Sequence, residues 1–112
     1  MEFDRLLTPS RLRILAALVP HEGLVFSDLR AASGLGDGNL HVHAAKLAAA
    51  GYVALRKRRR NGRQVTEFRI TDTGLEALRL LSREIDALLA GRGSVPEPKR
   101  PRRGDDSQVW ST

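Results

Sequence analysis

Cysteine does not occur anywhere in the 112 residues. That absence excludes disulfide scaffolds, cysteine-type zinc fingers, iron–sulfur clusters and thiol catalysis together, and it fits a reducing cytoplasm, the expected location. Long apolar runs are missing too. None approaches the roughly 20 residues needed to span a bilayer, and the opening MEFDRLLTPS carries acids early, unlike a secretory leader. A soluble intracellular chain with no membrane role is therefore expected. Histidine is limited to His21, His41 and His43. Positions 41 and 43 diverge by about 200° on a helix, and none of the three has an acid or a second His four residues on. They make no metal-ligand set. Nucleophile elbow, P-loop and dinucleotide fingerprint are also lacking. The stretch Gly34-Leu35-Gly36-Asp37-Gly38 has neither a preceding strand nor a following Lys, so a turn explains it better than a phosphate loop. Neither catalysis nor a cofactor or metal is expected.

What the chain has is positive charge. Lys and Arg number 19 against 13 for Asp and Glu, a net charge of +6. A small basic chain suits a polyanionic partner, of which nucleic acid is the commonest. Its length fits a single domain with one modest core.

Hydrophobic spacing and punctuation give the element order. Thr8-Pro9 is a hydroxyl cap followed by a proline suited to a first helical turn, so a helix is expected from Ser10 to about Val19, stopped by Pro20. Leu12, Leu15, Ala16 and Val19 form one stripe, and Ile14, Ala17 and Leu18 widen it until the helix is apolar nearly all round. Such a helix is buried on both sides, in a core or in a subunit interface. Ser27 is placed to cap a short second helix running to about Ala32, ended by Ser33-Gly34. Asp37 is placed to cap a third, on which Leu40, Ala44, Leu47 and Gly51 share one side, Gly51 ending it. Two short helices around Ser33-Gly34-Leu35-Gly36 make a helix-turn-helix.

A hairpin follows. Tyr52 to Arg60 and Arg63 to Ile70 read as strands joined by Asn61-Gly62, the pair that best tolerates positive φ at both turn positions. Thr71-Asp72-Thr73 then caps a last helix from Gly74 to about Ala90, with Leu75, Leu78, Leu81, Ile85, Leu88 and Leu89 along one broad stripe. That helix is long for so small a core, and its end is expected to meet a second copy. Residues 1–90 are thus expected to form the domain. Residues 91–112, rich in Gly, Pro and charge, should form a basic disordered tail. Within it Lys99-Arg100-Pro101-Arg102-Arg103 is either an accessory arm on DNA or a solvated end, and Trp110 has no assigned role.

The resulting fold class is α+β, mainly α: a winged helix-turn-helix with a two-stranded wing and a C-terminal dimerisation helix. In this order the third helix enters the major groove and the hairpin lies on the backbone or the flanking minor groove. With Leu40, Ala44 and Leu47 inward, Asn39, Val42, Ala45, Lys46 and Ala49 point outward, with His41 at the edge and His43 nearer the core. Asn39 suits an adenine, Val42 a thymine methyl, and His41 or Lys46 a base edge or phosphate. The competing reading is an ordinary solvated helix. Arg56, Lys57, Arg58, Arg59, Arg60 and Arg63 put six cations into eight residues at the hairpin tip. Charge there protects an exposed edge from aggregation, but six exceeds that need, and about four to six phosphate contacts per subunit are expected. The expected DNA-contacting set is Ser27, Asn39, His41, Val42, His43, Lys46, Arg56, Arg58, Arg59, Arg60 and Arg63. The expected dimer set is Leu6, Ile14, Leu18, Leu78, Leu81, Ile85, Leu88 and Leu89.

These residues resemble those of the MarR/ArsR-like winged-helix regulators, specifically their compact single-domain branch. The resemblance is carried by Leu7-Thr8-Pro9-Ser10-Arg11-Leu12-Arg13-Ile14-Leu15, Phe26-Ser27-Asp28-Leu29, Gly38-Asn39-Leu40, His43, Leu47, Gly51-Tyr52-Val53 and Thr71-Asp72-Thr73-Gly74, over about residues 5–90. It implies a homodimeric regulator, usually a repressor, on a near-palindromic operator of double-stranded DNA. The hydroxyl residue usual after Gly-Asn-Leu is His41 here, and the Leu usual after the family's His is Ala44, so a family operator is not implied. A small apolar effector in a groove between first and last helices is left open. The alternative function is a non-catalytic winged-helix module that docks another protein.

Overall fold

The computed structural model describes residues 3–91. The elements run α1 (Pro9–Leu18), β1 (Leu24–Val25), α2 (Phe26–Ser33), α3 (Asp37–Ala49), β2 (Val53–Arg60), β3 (Arg63–Ile70) and α4 (Asp72–Leu89). Lys99–Arg103 and Trp110 lie outside the described residues. No helix among those described is long and apolar enough to cross a membrane.

Local chemistry accounts for most of these boundaries. Thr8 caps α1 by accepting a hydrogen bond from the Arg11 amide, with Pro9 in the first turn. Thr71 caps α4 in the same way, accepting from the Gly74 amide at 3.0 Å. Between β2 and β3, Asn61 and Gly62 adopt φ of 53° and 78°, the handedness that a two-residue hairpin turn matched to strand twist requires. Gly51, at φ 82°, follows the C-terminus of α3 as expected.

Two expected caps are different. Ser27 lies inside the first turn of α2, whose N-cap is Val25 with no side-chain bond. The reason is β1: Leu24 and Val25 pair with Phe68 and Glu67, so the backbone is still extended at Val25 and turns helical immediately afterwards. Asp37 is the first residue of α3 and not its cap. Its carboxylate instead takes a 2.8 Å ion pair from Arg30, tying α2 to α3 across the turn, and an acid there also suits the helix dipole. The wing is consequently part of a three-stranded antiparallel sheet of order β1-β3-β2, and not an isolated two-stranded ribbon.

Leu7, Ile14, Leu15, Leu18, Leu29, Leu40, Ala44, Leu47, Val53 and Phe68 form the core. Ile14, Leu15, Leu18, Leu29, Leu40 and Leu47 are fully buried, each contributing about 1.5–3 kcal/mol by leaving water. Ile14 and Leu18 therefore do not belong to a dimer surface. They have no accessible area to offer a second copy, because α1 is enclosed by α2, α3 and the sheet. Leu6, Leu78 and Leu81 are half-buried against the same core. Beyond them α4 stands free: Leu80, Ile85 and Leu89 are exposed, Leu89 at 82%, and the only fully buried residue of the helix is Gly74.

Candidate nucleic-acid interface

Burial of Leu40, Ala44 and Leu47 fixes the rotation of α3 about its axis. Asn39, His41, Val42, Ala45, Lys46 and Ala49 are all exposed as a result. Small Ala45 and Ala49 leave the middle of this face low, so a duplex can approach the backbone closely. His41 is held by stacking on Phe26 from the adjoining helix, with ring centroids 4.3 Å apart and planes inclined by 21°. Sequence spacing gave no hint of that contact, since Phe26 sits where a strand turns directly into α2.

His43 faces the other way. Its Nδ1 accepts a 3.2 Å hydrogen bond from Nε of Arg11, whose Nη1 donates to the Leu6 carbonyl at 3.0 Å. Arg11 is buried, so this contact belongs to the internal seating of α3 against α1. His43 leaves the expected DNA-contacting set for that reason. A second tie lies at the far end of α3, where the Tyr52 hydroxyl donates to Asp4 Oδ2 at 2.5 Å. That bond, with burial and the nearby carboxylate charge adding to it, raises the Tyr52 pKa above the usual 10.0.

Strand pairing sorts the wing cations by face. Val53 opposes Ile70, Leu55 opposes Phe68, Lys57 opposes Thr66 and Arg59 opposes Gln64. Val53 and Phe68 are core residues, so Lys57 and Arg59 continue the inner face, which α3 shares. Lys57 Nζ donates to Thr66 Oγ1 at 2.9 Å, and Arg59 donates to the Gly62 carbonyl at 3.1 Å. The outer face carries Arg56, Arg58 and Arg60 opposite Glu67, Val65 and Arg63. There the charge is largely answered from within the chain. Glu67 pairs with Arg56 and, at 2.6 Å, with Arg58, while Asp28 pairs with Arg60 at 3.3 Å. The hydrogen bonds from Arg58 and then Arg56 hold the Glu67 carboxyl below its ordinary range. Three of the six wing cations are thus already engaged with carboxylates, and the expectation of four to six free phosphate contacts comes down accordingly.

Between α3 and the inner face of the wing runs a groove of about 530 Å³, lined by Phe26, His41, Ala45, Leu55, Lys57 and Phe68 among others. Leu55 is 47% exposed in it. The exposed Ser27 lines a separate hollow between the start of α2 and the wing tip. Among the described residues no three His, Asp or Glu side chains gather as a metal site would require.

Residues 10–89 match the family model of the winged helix DNA-binding domain. No curated protein sequence matches the chain. Among solved structures, it is similar to the transcriptional regulator homologue protein from Pyrococcus horikoshii OT3, at 35% identity and a TM-score of 0.65, over 75% of this chain and 83% of that one. It is also similar to the PcaV transcriptional regulator from Streptomyces coelicolor, solved in complex with its natural ligand, at 22% identity and a TM-score of 0.66, over 96% and 72%. A third is BpsR of Bordetella bronchiseptica, whose DNA binding is regulated by 6-hydroxynicotinic acid, at 17% identity and a TM-score of 0.63, over 85% and 71%. At those two lower identities the likeness is one of fold. The family match, the four helices with their hairpin wing and the regulator relative at 35% identity together bear out the resemblance to MarR/ArsR-like regulators: the chain belongs to the winged helix DNA-binding domain family of DNA-binding transcriptional regulators.

Proposed function

We propose that this protein is a homodimeric, sequence-specific regulator of transcription, acting as a repressor on double-stranded DNA in the cytoplasm. In this reading α3 lies in the major groove, with Asn39, His41, Val42 and Lys46 toward base edges and phosphates. Lys57 and Arg59 lie on the backbone or the flanking minor groove, and Arg63, on the outer face beside the turn, reaches a phosphate only from the wing tip. Ser27, at the exposed start of α2, is near enough to the wing tip to join them at a phosphate. The observation that carries the reading is a single continuous surface: the exposed, small-residue face of α3 beside the inner-face cations Lys57 and Arg59.

Dimer formation is assigned to the uncovered part of α4. Ile85, Leu88 and Leu89 extend the stripe begun by Leu78 and Leu81. A helix of 18 residues, about 27 Å long, with no fully buried large residue of its own, has apolar surface for a second copy to cover. Two copies would then present two recognition helices to a near-palindromic operator.

Selection of bound duplexes from random DNA, followed by gel shift at increasing salt, tests the proposal. An enriched, two-fold symmetric sequence bound in a salt-sensitive way is the expected result. Absence of duplex binding at low salt would refute it and favour the protein-docking module. We further propose a seat for a small-molecule effector, a role that 6-hydroxynicotinic acid has for BpsR. The groove between α3 and the wing has an apolar floor of Phe26, Ala45, Leu55 and Phe68 with His41 and Lys57 beside it, and anything held there would compete with DNA for the same surface.

A further inference from the structure

Glu67 is the one acidic residue within the β2–β3 hairpin, and it occupies a prepared position. It lies on the outer face of β3, opposite Arg56 and paired on its other edge with Val25. Its side chain is only 12% exposed although both guanidinium partners lie largely in solvent, at 69% and 48%. Room for it is made by Gly23. A Cβ at that position would stand 2.8 Å from Glu67 Cδ and 3.0 Å from Cγ and Oε2, so a larger residue there would push the end of the Glu67 side chain from this position. The carboxylate therefore lies beside Gly23 on the outer face of the sheet, already partly stripped of water, with two guanidiniums folded onto it.

We propose that Glu67 is a specificity-determining residue of the wing: it holds Arg56 and Arg58 on the outer face, away from the phosphate backbone, and leaves DNA contact to Lys57 and Arg59 on the face shared with α3. The proposal rests on the DNA-binding reading above and refines which cations serve it. Its physical basis is that phosphate contacts add affinity for every sequence alike, whereas base contacts discriminate. Each phosphate neutralised adds about 0.9 to the slope of log affinity against log salt. Two cations answered internally subtract that non-specific share while the contacts of α3 are untouched, which widens the ratio of specific to non-specific binding. Asp28 acts in the same sense on Arg60, from the first turn of α2.

The test is the salt dependence of binding to a random-sequence duplex, followed by fluorescence anisotropy, for the wild-type protein and three variants. Glu67→Gln keeps the shape of the side chain and removes its charge. It should bind more tightly at low salt, with a slope steeper by up to about 1.8, so that between 50 and 200 mM salt it loses about ten-fold more affinity than wild type. Adding Arg56→Gln and Arg58→Gln to it should return the slope to the wild-type value. Lys57→Gln with Arg59→Gln should flatten the slope below wild type. The proposal is overturned if Glu67→Gln binds no better or with a shallower slope, for Glu67 would then be presenting the arginines to DNA. It is equally overturned if the triple variant falls below wild type, since Arg56 and Arg58 would have been contacting DNA all along. Wild-type protein that binds no duplex would sink the functional reading itself, an outcome distinct from both.

Discussion

Replacing Gly74 with alanine probes how the last helix is seated on the wing domain. In a helix such a change ordinarily stabilises, by up to about 1 kcal/mol, because alanine is the better helix former. At Gly74 a Cβ would stand 2.3 Å from the Tyr52 carbonyl oxygen and 2.9 Å from Ile70 Cγ1. The first of these is backbone and cannot swing aside, so the first turn of α4 must withdraw by roughly an ångström to reach ordinary contact distance. Withdrawal strains three bonds made at the same point: Thr71 N to the Tyr52 carbonyl at 3.0 Å, Thr71 Oγ1 to the Gly51 carbonyl at 2.5 Å, and the Gly74 amide to Thr71 Oγ1. Overpacking costs about 1–3 kcal/mol, and a weakened backbone bond or cap about 1 kcal/mol each. After the propensity gain is subtracted, a net loss of about 2–4 kcal/mol is expected. At about 4–8 °C per kcal/mol for a domain this size, Tm should fall by about 8 °C or more. Gly38→Ala is the matched comparison: Gly38 also lies in a helical first turn, but its added Cβ meets nothing within 4 Å, so stability should rise by up to about 1 kcal/mol. Urea unfolding of the three proteins at one fixed protomer concentration measures both. Should Gly74→Ala match or exceed wild type, the close approach is not what holds α4, and the reasoning fails.

Other perturbations have equally definite signs. Because the folded-state pKa of Glu67 is depressed, its pairing stabilises the protein above the ordinary carboxylate range and is lost as pH falls through the lowered value. The stability gap between wild type and Glu67→Gln, read by urea unfolding, should be present at pH 7 and close in strong acid; a gap unchanged at low pH would contradict it. Tyr52 should titrate above 10.0 in an ultraviolet absorbance titration of the folded protein, and Asp4→Asn should bring it down. Being raised, that pKa adds stability at pH values below the free tyrosine's, a contribution that disappears as pH climbs past the folded value. Ile85→Glu with Leu89→Glu should convert a dimer to a folded monomer in sedimentation equilibrium, with little change in helical circular dichroism, since both side chains are exposed. A dimer that survives would place the interface elsewhere.

The sequence was most legible where a single residue type meets a single geometric need. Asn61-Gly62 announced the hairpin because both positions require positive φ, and Thr8 and Thr71 announced helices because a hydroxyl satisfies an open amide. The inward face of α3 followed from a three-to-four residue spacing that Leu40, Ala44 and Leu47 keep. Less legible was anything settled by partners distant in the chain. Leu24-Val25 is too short to show an alternation, and only its pairing with β3 makes it a strand and displaces the cap from Ser27. Ile14 and Leu18 looked available to a second subunit because an apolar helix gives no sign of which neighbour covers it. The wing cations were countable, but their partition between two faces, and the capture of three by Glu67 and Asp28, depended on strand register.

Arg11 links the residues ahead of α1 to the helix proposed to read DNA. Its guanidinium ties the Leu6 carbonyl to His43, while Asp4 takes the Tyr52 hydroxyl just past the end of α3. The stretch from Asp4 to Leu7 therefore serves as a brace on the middle of α3 and on the chain just past its C-terminal end, although it forms no helix or strand itself. Trimming a recombinant version to begin at Thr8 would leave a covered guanidinium short of an acceptor and a phenol short of its carboxylate. An affinity handle is accordingly better attached at the opposite terminus of the chain.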